Sequence, residues 1–237
     1  MITIVTYRLE PFLGANTNPP LLNTEWLREA VNKLMRDKRE TLEGDGADVS
    51  LFFNHDPETG KTRIGYPLII YHFLNGIFYI TGINKGAAAL ELVAAHYATP
   101  FSIDTVVFQG FIKENTVGEF TLGITKVTHS YSLIEWLPLH HKDLKAYRKM
   151  NLAAKVTELN NRLEKHISGE LGKYLIINLD TLNVVITDIT KVYPHPVMYK
   201  GYQFPAFDIQ FKANVSLPGM ITLGNNKALG YGRVVAI

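Results

Sequence analysis

The sequence contains no cysteine, which excludes disulfide bridges and cysteine-based metal sites. Charged residues make up only 19% of the 237 residues, and the net charge of +2 is too small to indicate nucleic-acid binding by itself. No apolar run reaches the length of a membrane span. We therefore predict a protein that does not associate with membranes. Binding of nucleic acid would require its cations to be concentrated on one face.

The composition that is present is that of a folded globular protein. Hydrophobic residues make up 46% of the chain, and this length can form one large or two small domains with a buried core. The segment Met1–Tyr7 lacks the basic region and apolar core of a signal peptide. We therefore expect a cytoplasmic protein.

The first half of the sequence predicts an α+β fold. Asn23 or Thr24 is a suitable cap for a helix that ends at Gly44-Asp-Gly, and Asn75-Gly76 between two apolar runs predicts a hairpin. Asn84 is a candidate cap for the following helix. The predicted elements are a strand at 2–9, the helix from residue 24 to 44, strands at 67–74 and 77–83, a helix at 86–97 and a strand at 102–112. Their order, β-α-β-β-α-β, is that of a ferredoxin-like unit.

The second half predicts a similar unit that lacks a clear second helix. Its predicted elements are a strand at 118–132, a helical region at 142–175 broken near Met150 or Asn151 and again at Gly169, strands at 182–193 and 202–215, and a last strand at 234–237. Pro194, Pro196 and Gly201 are expected in the turn of the hairpin. We infer two tandem ferredoxin-like halves, an N-terminal domain at 1–115 and a C-terminal domain at 116–237.

A glycine-rich stretch near the C-terminus is the most informative pattern. Gly224, Gly230 and Gly232 alternate with Lys227 and Arg233. Glycines let backbone amides approach a phosphate closely, and the two cations add positive charge. The alternative is a glycine-rich turn that closes a C-terminal hairpin. The stretch is neither a Walker loop nor a dinucleotide-binding loop, because it lacks Gly-Lys-Ser/Thr and a strand-to-helix turn.

A second block accompanies this stretch. It consists of Phe52-Phe-Asn-His-Asp, Gly65-Tyr-Pro-Leu-Ile-Ile-Tyr-His and Ile80-Thr-Gly-Ile-Asn-Lys-Gly. In the chain this block precedes the glycine-rich stretch. The two patterns in that order resemble the CRISPR-associated RNA-binding superfamily of RAMP proteins, and most closely its endoribonucleases that process CRISPR repeat RNA. The glycine-rich loop departs from the family's usual Gly-Leu-Gly-Lys form, because Asn225 and Asn226 separate Gly224 from Lys227.

The resemblance implies a metal-independent endoribonuclease that uses no cofactor. The 2′-hydroxyl of the RNA would attack the adjacent phosphate, leaving a 2′,3′-cyclic phosphate and a 5′-hydroxyl. Its expected partners are CRISPR repeat RNA, other CRISPR-associated proteins and a second copy of the chain. Histidine suits the two proton transfers, because its pKa lies near the working pH.

His55 is the leading catalytic candidate, since it matches the family's Asn-His position and lies beside Lys61 and Arg63, which we expect to bind RNA. The subfamily often has another histidine two residues earlier, where this chain has Phe53. A two-histidine mechanism therefore has no partner at that position. The alternative for His55 is a solvent-facing loop histidine.

His72 is the second catalytic candidate. It shares a strand face with Ile70, at a place where the family often has a cation, whereas Tyr71 is predicted to enter the core. A histidine satisfied within the strand is the alternative.

A basic segment provides a candidate RNA track. His141 precedes Lys142, Lys145 and Lys149, which share one side of a predicted helix. A solvated helix face is the alternative. His140, His141 and Asp143 do not indicate a metal site, because consecutive side chains diverge and no third ligand is evident.

Two other functions fit the same residues. A non-catalytic subunit that holds guide RNA in a CRISPR effector complex is favoured by Phe53. A ferredoxin-like interaction module unrelated to nucleic acid would require both motif blocks to be coincidental.

Overall fold

The computed structural model describes residues 1–12, 22–53, 65–103, 106–114, 118–172, 178–189, 193–199 and 202–237. The chain divides into two compact units, Met1–Phe120 and Thr121–Ile237. Each unit contains an antiparallel sheet with helices. The predicted α+β class with ferredoxin-like halves is confirmed.

The first unit has eight strands and three α-helices among its described residues. The strands are β1 (Ile2–Leu9), β2 (Pro11–Phe12), β3 (Ile69–Leu74), β4 (Ile77–Ile83), β5 (Phe101–Ile103), β6 (Val106–Phe108), β7 (Ile112–Lys113) and β8 (Glu119–Phe120); the helices are α1 (Thr24–Asp37), α2 (Arg39–Gly44) and α3 (Lys85–His96). The main sheet has the order β3-β4-β1-β7, and β8 also pairs with β1. This is the ferredoxin-like strand order.

Local signals placed several of these elements correctly. The side chain of Asn23 accepts a hydrogen bond from the Trp26 amide at 2.8 Å and so caps α1. Asn75 and Gly76 both have positive φ, at 52° and 81°, as a two-residue hairpin turn of this kind requires. One side of α1 is apolar and faces the core, where Leu27, Val31 and Met35 are fully buried.

Three predictions for the first unit were wrong in detail. The first helix is interrupted at Lys38, so α1 and α2 replace one continuous helix. Asn84 occupies the N-cap position of α3, but its side chain does not cap the helix and instead accepts a hydrogen bond from the Thr3 amide at 3.0 Å. The strand predicted at 102–112 is divided among β5, β6 and β7, since the Phe111 amide donates to the Tyr97 carbonyl at 3.0 Å instead of continuing a ladder. β5 and β6 join β2 in a separate sheet.

The second unit has five strands and two α-helices among its described residues. These are β9 (Gly123–Trp136), α4 (His141–Lys149), α5 (Leu152–Lys165), β10 (Val184–Ile189), β11 (His195–Tyr199), β12 (Tyr202–Ser216) and β13 (Arg233–Ala236). A π-helical segment, His166–Gly172, continues α5. The sheet order is β10-β12-β9-β13, again ferredoxin-like, and β11 pairs with the beginning of β12.

The break between α4 and α5 lies where the sequence predicted it, at Met150 and Asn151. By contrast, Pro194 and Pro196 do not form the hairpin turn, because residues 195–199 form β11. Pro196 lies directly opposite Pro205 on β12. Neither proline has an N–H to donate, so their pairing leaves no backbone donor unused at this position.

The Gly-Ile-x-x-Gly segment at the start of α3 is fixed by close packing. A Cβ atom on Gly82 would lie 2.5 Å from the Gly86 carbonyl oxygen, and one on Gly86 would collide with the Leu68 carbonyl oxygen. The two glycines therefore allow α3 to lie directly against the hairpin of β3 and β4.

Gly86→Ala should lower the free energy of unfolding by about 1–3 kcal/mol, because the added methyl group meets backbone atoms that cannot move aside. Chemical denaturation measures the loss. Gly44→Ala is the matched control, since nothing lies within 4 Å of a Cβ atom there. Equal stability of the two variants would contradict this packing.

Candidate nucleic-acid interface

His55, Lys61 and Arg63 fall within residues 54–64, which lie outside the described part of the chain. The residues immediately before them are described. Phe52 is 1% exposed, and Phe53 packs in part against the core of the first unit. The Tyr71 hydroxyl donates to the Phe52 carbonyl at 3.4 Å. The segment that leads to His55 is thus anchored in the core up to Phe53.

His72 is 2% exposed on β3, opposite Tyr79 on β4. This burial favours the alternative of a histidine satisfied within the strand, and a catalytic role for His72 stays a prediction. The prediction for its neighbour Tyr71 is confirmed, since this side chain is 1% exposed within the core. The alternation of side chains along β3 places Tyr71 and His72 on opposite faces of the strand, as predicted. Both side chains are nevertheless buried.

Helix α4 exposes its cations. His141, Lys142, Lys145, Arg148 and Lys149 are all exposed, whereas Tyr147 is 1% exposed and contacts Phe207 on β12 edge to face. Tyr147 thus packs α4 against the sheet, and the basic side of the helix remains exposed to solvent.

Arg162 on α5 holds the beginning of α4 in place. Its guanidinium donates to the Pro138 carbonyl at 2.8 Å, to Asp143 at 3.3 Å and to Glu158 at 2.6 Å. These contacts join α5 to the first turn of α4 and to the segment before it. This role of Arg162 was not evident from the sequence, because its partners lie up to 24 residues away along the chain.

Lys155 is a second residue that the sequence did not reveal. It is 4% exposed, and its Nζ atom lies 4.5 Å from the centre of the Tyr193 ring and 5.8 Å from that of Tyr147. Burial raises the pKa of Tyr147 to about 12, with smaller contributions from Tyr193 and Glu158. The Lys155 ammonium lies over the aromatic rings of Tyr193 and Tyr147. This contact links α5 to α4 and to the segment just before β11.

The glycine-rich loop joins β12 to β13 at the position where a ferredoxin-like unit has its second helix. A Cβ atom on Gly224 would lie 2.9 Å from two atoms of the Trp136 indole, and one on Gly232 would collide with the Leu223 carbonyl oxygen. Both glycines also have positive φ, 96° and 70°. The protein's own packing thus requires these two glycines.

The cations of this loop are partly engaged by the protein. Lys227 donates to the Gly224 carbonyl at 2.9 Å. Arg233 is half-buried, and burial lowers its pKa while the nearby Glu135 carboxylate raises it. Glu135 itself has a positive φ of 51°, and its amide donates to Asp208 at 2.8 Å. Arg233 is therefore near the Glu135 carboxylate at the end of β9.

Trp136 connects the loop to the π-helical segment. Its side chain is fully buried, and its Nε1–H donates to His166 Nδ1 at 3.1 Å. Burial lowers the pKa of His166 to about 3, and the charges of Lys227 and Arg162 contribute in the same direction. His166 is thus a neutral structural acceptor for the Trp136 indole.

The family model of the Cas6b C-terminal domain matches residues 123–237, almost half of the chain. The second unit is therefore similar to this domain. The match begins at the first residue of β9 and includes the basic helix, the glycine-rich loop and β13. The predicted relationship to the RNA-processing RAMP proteins is confirmed.

Three solved structures resemble the whole chain in fold. A Cas6b crystal structure superposes with a TM-score of 0.77 at 18% identity, and one of a CRISPR RNA processing endoribonuclease Cas6b with 0.62 at 19% identity. Csf5, a CRISPR-Cas type IV Cas6 crRNA endonuclease, gives 0.59 at 16% identity. Each comparison covers 100% of both chains. At these identities, the likeness establishes the fold.

A comparison with curated proteins found no match. Within the described ranges, no group of three or more His, Cys, Asp or Glu side chains is placed to hold a metal ion. None of the helices formed by the described residues is long and apolar enough to cross a membrane.

Gly232→Ala in the Cas6b-type domain should lower the free energy of unfolding by at least about 2 kcal/mol, because it combines a left-handed backbone with a collision against Leu223. Gly219→Ala is the control, since its Cβ atom would meet nothing within 4 Å. Thermal or chemical denaturation measures both. A fully stable Gly232→Ala protein would contradict the packing described for the loop.

The neutral His166 should make this domain sensitive to acid. Its pKa is near 6.5 when unfolded and about 3 when folded, so its contribution to stability is complete above pH 6.5 and is lost as the pH falls towards 3. Between pH 7 and 5 this loss is about 2 kcal/mol.

Chemical denaturation at pH 7 and pH 5 tests this by comparing the wild type with His166→Asn, which keeps an acceptor for the Trp136 indole but does not titrate. The variant should lose less stability than the wild type over this range. An identical loss in both proteins would contradict the assignment.

Proposed function

We propose that the chain is an endoribonuclease that cleaves CRISPR repeat RNA into guide units without a metal ion. The observation that carries this proposal is the match of residues 123–237 to the Cas6b C-terminal domain. It is supported by the chain-long likeness in fold to a protein described as a CRISPR RNA processing endoribonuclease.

In the proposed reaction, the 2′-hydroxyl of the nucleotide before the cut attacks the adjacent phosphorus. The 2′-oxygen loses its proton, the bond to the 5′-oxygen breaks, and that oxygen gains a proton. The products are a 2′,3′-cyclic phosphate and a 5′-hydroxyl. The protein must therefore exchange protons with two oxygens and stabilise the charge that develops on the phosphate.

His55 is the residue that we assign to proton transfer. Its sequence position supports the assignment, because it directly follows a segment fixed in the core by Phe52 and Tyr71. The described chain is fixed up to Phe53, two residues before His55, and Lys61 and Arg63 follow His55 in the sequence. These two cations are candidates for holding the scissile phosphate.

Helix α4 is the proposed track for the RNA backbone. Lys142, Lys145 and Lys149 are exposed on a helix whose position is set by Tyr147 and Arg162. A net charge of +2 conceals this concentration. Phosphate neutralisation by these lysines would make RNA binding weaken steeply with salt.

The glycine-rich loop contributes positive charge to the proposed RNA surface. Lys227 and Arg233 are the candidate phosphate contacts of this loop. Gly224 and Gly232 act by shaping the loop around Trp136 and Leu223. Gly230, which also has a positive φ of 77°, completes the loop after a single 3₁₀ turn.

A non-catalytic guide-RNA-binding subunit is the second candidate function. Phe53 stands where the subfamily often has a histidine, and its side chain packs against the core. A protein of this kind would retain the RNA track but not the reaction, and it would act with other CRISPR-associated proteins.

Replacing His55 separates the two functions. Cleavage of the host's repeat RNA by His55→Ala should be about 10²–10⁴-fold slower than by the wild type, because a proton-transfer group is removed. Single-turnover rates with enzyme in excess measure the chemical step, and RNA binding by the variant should be unchanged.

His96→Ala is the matched control, since the imidazole of His96 pairs with Asp45 at 2.9 Å and is assigned no catalytic role. If the wild type binds repeat RNA in a salt-sensitive manner but does not cleave it, the guide-holding function replaces the proposal. If His55→Ala cleaves as fast as the wild type, the assignment of His55 fails.

A further inference from the structure

At the beginning of β12, one row of side chains extends from the core to the surface, and its two outer members are aromatic. Tyr202, Phe204 and Ala206 lie on one face of the strand, because side chains alternate along it. Ala206 is fully buried, Phe204 is half-buried and Tyr202 is 69% exposed. The row therefore runs from the interior to the surface, and its outer aromatic ring is presented to solvent.

The inner part of this row is fixed on both sides. Phe204 packs against a cluster formed by Leu137, Val197 and Ala206, together with Tyr231 of the glycine-rich loop. The Tyr231 hydroxyl donates to the Met198 carbonyl at 3.3 Å. Phe204 is thus held by the paired strand β11 and by the glycine-rich loop.

The Phe204 ring also meets the basic helix. The ring of His141, the first residue of α4, lies 5.9 Å from the Phe204 ring at an interplanar angle of 35°. Lys145 follows one turn later on the same side of the helix as His141, and Lys142 is adjacent; all three are exposed. An aromatic row and a stripe of cations thus meet at one end of α4.

We propose that Tyr202, Phe204 and His141 form a base-stacking platform for unpaired nucleotides of the RNA, whose phosphates are bound by Lys142 and Lys145. The inference rests on the proposed function and adds to it a site that selects single-stranded RNA. Tyr202 and Phe204 are about 7 Å apart along the strand, so each aromatic residue can receive a different base.

The aromatic rings and the neighbouring lysines together favour single-stranded RNA as the ligand of this surface. Aromatic faces beside a line of cations are the arrangement that binds single-stranded nucleic acid, because the bases stack while the phosphates pair with lysine. A duplex offers its phosphates but keeps its bases stacked on each other. The platform therefore contributes to binding only where the repeat RNA is unpaired.

Tyr202→Leu tests the platform. Binding of a short labelled RNA without self-complementarity is measured by fluorescence anisotropy over a range of salt concentrations, and a hairpin RNA of the same length is the second probe. Tyr202→Leu should weaken binding of the single strand by about 5-fold or more, in keeping with the effect of removing one stacked base. Hairpin binding and the salt dependence should be unchanged.

Two further variants make the test specific. Tyr202→Phe keeps the aromatic face and should bind as the wild type does. Lys145→Ala should instead reduce the slope of log affinity against log salt by about 0.7. Phe12→Leu, on β2 of the first unit, is the matched control, because Phe12 is also an exposed aromatic residue, at 64%.

The outcomes distinguish a failure of the stacking platform from a failure of the endoribonuclease proposal. Unchanged single-strand binding by Tyr202→Leu, or an equal loss for the hairpin, would overturn the platform while leaving the endoribonuclease proposal intact. Failure of the wild type to bind either RNA would overturn both. Weakening that is restored in Tyr202→Phe supports the platform.

Discussion

The packing of the Trp136 indole is the constraint on which the second unit depends. The indole lies at the end of β9, donates to His166 at the start of the π-helical segment, and touches Gly224 so closely that no side chain fits there. One side chain thus sets the path of the glycine-rich loop and the end of α5. Because α5 also holds α4 through Arg162, the position of the basic helix follows from the same core.

This dependence changes the meaning of the glycine pattern. Glycines beside cations are typical of phosphate-binding loops, yet Gly224 and Gly232 are required here by contacts with Trp136 and Leu223. The alternative of a structural turn therefore explains these two glycines, and the proposed RNA contacts in the loop rest on Lys227 and Arg233. The larger exposed concentration of cations is on α4, where Tyr147 is buried and the lysines are not.

Local patterns predicted most of the fold. Asn23, the Asn75-Gly76 turn and the break at Asn151 act through neighbouring residues, so the sequence reveals them. Contacts between distant residues were missed: Asn84 binds Thr3, 81 residues away, and β11 forms despite Pro196 because it pairs with Pro205. For the site, the basic helix was predictable from its spacing. The burial of His72 was not, because alternation shows which residues share a face but not what covers that face.

The chemical nature of the cleaved ends tests the central claim most directly. Repeat RNA with and without a single 2′-deoxy nucleotide at the cut would be incubated with the wild type in EDTA, and the product ends would be determined. The account predicts a 2′,3′-cyclic phosphate and a 5′-hydroxyl from the ribose substrate, and no cleavage of the deoxy substrate. Cleavage of the deoxy substrate, or products with a 3′-hydroxyl and a 5′-phosphate, would contradict it.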